Sequence, residues 1–158
     1  MDHTHPMSAA RSVLGPTGRQ LSIMDASRQQ ILDHIRGELG AWAVCLIDSS
    51  TGMLMDASSQ DGTPTTGNLD VIAIGCTDVV RSQQMLAAAM ACSSVVEEIM
   101  IVMGDLFHFY RPLPSKPYIF LWAVLPRSEN TLARTHLQFE RLIALIEGHG
   151  SAPAALAG

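Results

Sequence analysis

The stretch "VCLIDSSTGMLM", residues 44–55, places an Asp-Ser-Ser-Thr-Gly turn between two apolar runs, a pattern that can hold the phosphates of a nucleotide. A phosphate cradle needs backbone N–H groups that converge in a glycine-rich loop, usually beside a helix N-terminus. Here the turn joins two predicted strands, contains a single glycine, Gly52, and has no basic residue that we expect within its reach. We therefore interpret it as a hairpin turn, in which Asp48 and Ser49 make local hydrogen bonds and Gly52 adopts a positive φ.

Other motifs for catalysis are absent from the sequence, which has no Gly-x-x-x-x-Gly-Lys phosphate loop and no Gly-x-Ser-x-Gly nucleophile elbow. The adjacent acids Glu97 and Glu98 point to opposite faces of a predicted strand, where we expect them to solvate a sheet edge. His108 lies mid-strand between aromatic residues and His136 lies on the last helix, and we interpret both as packed or half-exposed histidines. The sequence therefore assigns no catalytic residue.

The cysteines and the N-terminus are the places to look for a metal or a cofactor. Cys45, Cys76 and Cys92 lie inside apolar segments and form no Cys-x-x-Cys pair, which predicts reduced core thiols. The starting Met-Asp-His offers an amine, amides and His3 to Cu(II) or Ni(II), and we interpret this as incidental. We expect neither a metal site nor a cofactor.

Composition excludes several classes of function. A chain of 158 residues suits one domain, and no apolar run reaches the ~20 residues that cross a bilayer, so we expect no membrane insertion. The first twenty residues lack the apolar core of a secretory signal, which predicts a cytoplasmic protein. A net charge of -5 without a Lys/Arg cluster leaves no footprint for nucleic acid.

Periodicity predicts the order αββαβββα within a domain of residues 22–147, between disordered tails at 1–21 and 148–158. The first helix has Ser22 or Asp25 as its cap and Gly40 as its stop, and Asn68 caps a middle helix from residue 69 to about 91. Strands are predicted at 41–48, 52–58, 95–103, 105–113 and 118–125, before a closing helix that ends near 147. The first and last of these strands are apolar on both faces, which predicts central strands with helices above and below.

Three stretches together resemble the roadblock / dynein light chain domain family and its bacterial MglB-like branch. They are "AVCLIDSSTGMLMDAS" for the opening hairpin, "EEIMIVMGDLFHFYRPL" for the third and fourth strands, and "YIFLWAVLPRSENTLARTHLQFERLIALI" for the last strand and helix. The sequence departs from the family in the connection "RPLPSKP", longer than the expected tight turn, and in its N-terminal extension.

The resemblance implies an α/β (α+β) sandwich with a five-stranded antiparallel sheet in the order 2-1-5-4-3. The middle helix would lie on one face of this sheet, and the first and last helices on the other. It also implies a non-catalytic homodimer that acts as a scaffold or regulator of a small Ras-like GTPase, with the middle helix and third strand forming the dimer interface. Arg81 and Arg111 lie nearest the plausible partner surfaces, yet neither lies on a projecting loop tip, which favours positioning of the GTPase over an arginine finger.

Two alternatives from other classes remain open at this point. A small-molecule sensor of PAS or profilin-like build would hold its ligand between Phe107, Phe109, Tyr118 and Trp122, in an apolar cavity with a few polar groups. A hydrolase would use Cys45 or His108, with a base in hydrogen-bond reach of a nucleophile.

The middle helix has apolar residues on two sides when they are placed at 100° steps. One wide arc should cover its own sheet and comprises Leu69, Ile72, Ala73, Cys76, Val79, Val80, Leu86, Ala87 and Met90. On the far side, Asp70, Thr77, Asp78 and Arg81 accompany a second apolar stripe. The predicted dimer and partner interface comprises Val71, Ile74, Asp78, Arg81, Met85 and Ala89 of this helix with Ile99, Met100, Ile101, Val102 and Met103 of the third strand. Alternatively, the loop from Ser59 to Gly67 covers the stripe.

Overall fold

A computed structural model of the chain describes residues 23–63, 67–91, 95–130 and 132–147. The elements are α1 (Ile23–Leu39), β1 (Ala43–Asp48), β2 (Met53–Ser59), α2 (Leu69–Ala89), β3 (Ile99–Met103), β4 (Leu106–Leu113), β5 (Lys116–Pro126) and α3 (Leu132–Glu147), with a 3-10 turn at Arg127–Glu129. This order confirms the predicted αββαβββα arrangement. Both predicted tails, Cys92 and the capping candidate Ser22 lie outside the described residues, as does the Asp25 side chain.

The five strands form one sheet in the order β2-β1-β5-β4-β3, and every neighbouring pair is antiparallel. Strands β1 and β5 lie at its centre, as predicted from their apolar runs. Helices α1 and α3 cover one face of the sheet and α2 covers the other, so the predicted sandwich is confirmed. No helix in the described ranges combines the length and the apolar character that crossing a bilayer requires.

The two faces of the sheet carry separate apolar cores. On the face of α1 and α3, Ile35, Leu121 and Phe139 are fully buried, and the rings of Phe109 and Phe139 lie 5.6 Å apart. On the face of α2, the core is smaller and is built around Phe120 and Trp122 of β5 with small side chains of the helix. Small helical side chains allow α2 to approach the sheet closely, but they bury little area of their own.

Polar contacts fasten α1 to the edge strand β2. Ser58 Oγ donates to Asp33 Oδ1 at 2.5 Å and accepts from Arg36 Nε at 2.9 Å, while Gln29 Nε2 donates to the carbonyl oxygen of Ala57 at 3.0 Å. The bond from Gln29 satisfies a backbone carbonyl of the edge strand, and the bonds of Ser58 hold α1 beside it. Helix α1 thus lies fastened along the β2 edge of the sheet.

Three local predictions need correction. The connection between β4 and β5 is short, because both strands extend into it and pair Leu113 with Lys116, with a register shift beside Pro112 that a proline tolerates. Strand β3 begins at Ile99, four residues later than predicted. Asn68 occupies the N-cap position of α2, but its side chain makes no capping hydrogen bond. Gly40, by contrast, ends α1 with φ of 61°, as predicted.

Two leucines of α3 test the placement of this helix. Leu142 is buried and Leu137 is 65% exposed. A Leu→Ala substitution removes the same atoms at both positions, but it removes core contacts only at Leu142. We expect Leu142→Ala to lower the free energy of unfolding by about 2–5 kcal/mol, through lost burial and a residual cavity.

Leu137→Ala is the matched control, and should stay within about 0.5 kcal/mol of the parent because its side chain lies on the surface. Urea denaturation followed by circular dichroism measures both values. Equal destabilisation by the two variants would contradict this orientation of α3.

Candidate interaction surface

Backbone N–H groups of the Asp-Ser-Ser-Thr-Gly turn donate hydrogen bonds within the protomer. Ser49 N donates to Tyr118 O at 2.7 Å, Ser50 N to Asp48 Oδ1 at 2.8 Å, and Gly52 N to Asp48 O at 2.8 Å. Gly52 has the predicted positive φ of 76°. The hydrogen bonds from Ser50 hold the pKa of the Asp48 carboxyl below its usual range, so the turn carries a fixed negative charge. Such a turn repels a phosphate, which supports the hairpin interpretation.

The turn nevertheless has a basic neighbour that sequence reasoning missed. Arg81 of α2 reaches it, with Nε 2.8 Å from the carbonyl oxygen of Ser49 and Nη2 2.8 Å from that of Ser50. The turn presents carbonyl oxygens to a cation, the reverse of a phosphate cradle. The expectation that Ser49 bonds only locally is also wrong, because its hydroxyl donates to Tyr118 O of β5 at 2.8 Å.

Neither candidate of the hydrolase alternative is activated. Cys45 is fully buried, and burial raises the pKa of its thiol far above the usual range. Burial likewise raises the pKa of Cys76 to about 12, so both thiols stay protonated. Burial lowers the pKa of His108, and its buried Nε2 has no hydrogen-bond partner among the described residues. A nucleophilic cysteine needs the opposite environment, which favours the thiolate.

The aromatic cavity of the sensor alternative does not form. Phe107 and Phe109 point to the face of α1 and α3, whereas Trp122 points to the face of α2. Tyr118 is half exposed near the start of β5. The sheet itself therefore separates the side chains that would have lined one pocket.

Glu98 and His136, interpreted from sequence as solvating or half-exposed groups, belong to an ionic cluster. Glu98 Oε1 lies 2.9 Å from His136 Nδ1, and Glu98 Oε2 lies 3.2 Å from Arg111 Nη1. Arg111 Nη2 lies 3.1 Å from Glu140 Oε1. The cluster fixes the segment that enters β3 against β4 and α3, so Glu98 does more than solvate an edge.

Helix α2 buries only part of the face that was expected to cover the sheet. Its buried residues are Ala73, Cys76, Thr77 and Val80. Leu86 and Met90, predicted to be covered, are 52% and 63% exposed, and both line an open groove beside the entry to β3. Thr77, predicted on the outer side, is buried close to Gly52, and its hydroxyl donates to the carbonyl oxygen of Ala73 at 2.9 Å.

The outer side of α2 is apolar and open. We call the residues Val71, Ile74, Asp78, Arg81, Met85 and Ala89 the α2 stripe. Val71 is 70% exposed, Ile74 58% and Met85 72%, so the described part of the loop from Ser59 to Gly67 does not bury them. An exposed apolar stripe of this kind is typical of a protein–protein contact.

Strand β3 continues this open surface at the edge of the sheet. Within the described part of the chain it pairs only with β4, and the side chains of Met100, Val102 and Met103 are exposed. Between the C-terminal half of α2 and the entry to β3 lies an open groove of about 710 Å³, lined in part by Leu86, Met90 and Met100. Of the predicted interface residues of β3, Ile99 and Ile101 are instead half-buried against the core on the α2 face.

The fold is one that solved structures share. The antiparallel sheet in the order β2-β1-β5-β4-β3, with α2 on one face and α1 and α3 on the other, is the fold of roadblock/LC7 domains. The roadblock/LC7 domain from Streptomyces avermitilis superposes with a TM-score of 0.64 at 11% identity, covering 77% of this chain and 95% of that chain.

The MglB proteins share this fold as well. Myxococcus xanthus MglB has a TM-score of 0.63 at 14% identity and covers 75% of this chain and 89% of its own. The gliding protein MglB of Thermus thermophilus has a TM-score of 0.62 at 18% identity, and the match covers 75% of this chain and 84% of that chain. No protein-family model and no curated protein sequence matches the chain. The resemblance drawn from sequence is therefore confirmed by the fold.

The geometry of the turn predicts that the purified protein does not bind GTP or ATP. Its amides are occupied, its carboxylate is ionised, and the guanidinium of Arg81 is engaged by carbonyl oxygens. Isothermal titration calorimetry with each nucleotide at up to ~1 mM should give no binding heat, with or without Mg²⁺. Micromolar binding that Asp48→Ala abolishes would overturn the hairpin interpretation.

Proposed function

We propose that this chain is a non-catalytic, homodimeric scaffold or regulator of a small Ras-like GTPase, acting in the cytoplasm in bacterial signalling or polarity. The observation that carries this proposal is the apolar surface that α2 and β3 leave exposed on a roadblock fold. A second copy is the occupant that this surface fits best. One solved MglB structure has a tetrameric arrangement, which supports self-association on this fold.

The two edges of the sheet support a dimer on one side only. At β2, the side chains of α1 reach the strand and cover it with polar contacts such as that of Gln29 to Ala57. At β3, apolar residues flank an edge that has no partner strand among the described residues. Two β3 strands placed side by side would join two sheets into one, with the α2 stripes meeting above them. Such an interface would bury on the order of 1,200–2,000 Å².

The GTPase partner follows from the resemblance to the roadblock family, whose members serve as scaffolds or regulators of GTPases. The two arginines closest to plausible partner surfaces are both engaged inside the protomer. Arg81 binds the carbonyl oxygens of Ser49 and Ser50, and Arg111 binds the carboxylates of Glu98 and Glu140. An arginine finger must extend into the partner's active site. The effect on a GTPase is therefore one of positioning.

Met85→Glu tests the dimer. The substitution introduces a charge at a 72% exposed apolar side chain of the α2 stripe, where a second copy would bury it against apolar side chains. We expect a folded protein whose dimer is weakened by at least about tenfold, because each charge loses hydration on association. Sedimentation equilibrium or light scattering over a concentration series measures the dissociation constant.

Leu137→Glu is the matched control, since it adds the same charge at a 65% exposed apolar side chain of α3, outside the proposed interface. Its dimer should be unchanged. A parent protein that is monomeric at high micromolar concentration would refute the proposed dimer.

Arg81→Lys tests the mode of GTPase regulation. If the dimer stimulates GTP hydrolysis by a small Ras-like GTPase of the same genome, the lysine variant should retain that stimulation to within about tenfold, because positioning needs the docked surface and not a guanidinium in the active site. Removal of an arginine finger costs about 10³–10⁵ in rate. A loss of that size with docking intact would identify Arg81 as a finger.

A further inference from the structure

Six exposed residues of α2 follow a heptad spacing, and two of these six carry opposite charges. Val71, Asp78 and Met85 are seven residues apart, and Ile74, Arg81 and Ala88 form the second series. All six are exposed in the protomer. A heptad seam of this kind is typical of a helix that packs lengthwise against another helix. Its central layer, where Asp78 and Arg81 lie, is the charged one.

Asp78 has no ion pair or hydrogen bond inside the protomer among the described contacts, although Arg81 lies one turn away. Arg81 is turned instead toward the β1–β2 hairpin, where Nε and Nη2 donate to the carbonyl oxygens of Ser49 and Ser50. A guanidinium has five N–H groups, so three remain, two of them on Nη1. The hairpin thus holds the arginine in place and leaves it able to receive a carboxylate.

A two-fold axis perpendicular to α2 makes two copies of the helix antiparallel. If the axis passes between residues 79 and 80, Asp78 faces the partner's Arg81, Ile74 faces the partner's Met85, and Val71 faces the partner's Ala88. Since α2 spans Leu69–Ala89, this register also aligns the two helices over nearly their whole length. Every apolar member of the seam then meets an apolar member.

Neighbouring registers are worse on electrostatic grounds. An axis at residue 78 places Asp78 against the partner's Asp78, and an axis at residue 81 places Arg81 against the partner's Arg81. A shift by a full heptad sets both charges against apolar side chains. Like charges opposed in an interface and unpaired charges buried in one are both costly, so one register is favoured over the others.

We propose that reciprocal ion pairs between Asp78 of one protomer and the partner's Arg81 fix the register of the dimer and its selectivity for a second copy of this chain. This inference rests on the proposed homodimer and adds to it the residues that decide how two copies recognise each other. The pairing explains why two charged residues, Asp78 and Arg81, lie in an otherwise apolar seam. A charged layer of this kind specifies a partner more than it strengthens binding.

Charge reversal tests the pairing. Asp78→Arg gives a chain with arginine at both positions, and Arg81→Asp gives one with aspartate at both. Each alone should raise the dimer dissociation constant by at least about tenfold, through repulsion at both symmetry-related contacts. Mixed in equal amounts, the two should form a heterodimer, since every facing pair is then opposite in charge. The double variant Asp78→Arg/Arg81→Asp should recover the parent's affinity to within about fivefold.

Controls separate the register from the fold and from the dimer. Leu137→Arg adds an arginine at a 65% exposed side chain of α3, outside the proposed interface, and should leave the dimer as it is. Arg81→Asp also removes the bonds to Ser49 and Ser50, so thermal unfolding is measured for each variant, and Asp78→Arg, which keeps those bonds, is the decisive single change.

The outcomes distinguish the two levels of proposal. A parent that dimerises, with an Asp78→Arg variant that dimerises equally well, overturns the ion pair and leaves the proposed dimer standing. A mixture of the two folded single variants that yields no heterodimer also overturns it. A monomeric parent refutes the dimer and the pairing together.

Discussion

Helix α2 packs on its own sheet through the first part of its length only, and much of the architecture follows from this. Its last buried residue is Val80, yet the helix continues to Ala89. Helices in proteins owe most of their stability to the packing of an apolar face, because intrinsic propensity over three turns is marginal. The segment after Val80 carries apolar residues such as Leu86 and Met90 that its own sheet does not cover. A surface outside the protomer would supply that packing.

The same asymmetry divides the sheet. Helix α2 lies over β1 and β2, while α1 and α3 together cover the opposite face. Strand β3 is short, apolar and at the other edge of the sheet. Proteins commonly protect edges with charges, prolines or covering elements, and this chain does so at β2. The difference between the two edges therefore favours β3 over β2 as the place where another chain would pair.

Three arginines in this protein hold different elements of the fold together. Arg36 bridges α1 and β2, Arg81 bridges α2 and the first hairpin, and Arg111 bridges β4 with α3 and the entry to β3. Each guanidinium offers several donors in a fixed plane, which suits it to join backbone carbonyls, hydroxyls and carboxylates of different elements. Each of these three cations therefore joins two or more elements of the fold.

The sequence by itself determined the order of elements, the central position of β1 and β5, the end of the first helix at Gly40 and the turn at Gly52. Those features depend on local rules: the period of apolar residues, runs that are apolar on both faces, and glycines that accept a positive φ. The second apolar side of α2 was visible for the same reason, since helical periodicity places residues around an axis whatever the axis packs against. Together with the resemblance to roadblock domains, these signals were enough to predict the sheet order.

Only the tertiary structure decided what each side of α2 touches. Periodicity assigned Thr77 to the outer side and Leu86 to the inner one, yet Thr77 is buried beside Gly52 of the hairpin and Leu86 is 52% exposed. Arg81 and Ser49 are separated by 32 residues, and Glu98 and His136 by 38, which no local pattern could join. The length of β4 and β5 across a proline-rich connection was likewise set by pairing between the strands. Contacts between distant segments depend on where each element ends relative to its neighbours, and that is a property of the packed chain.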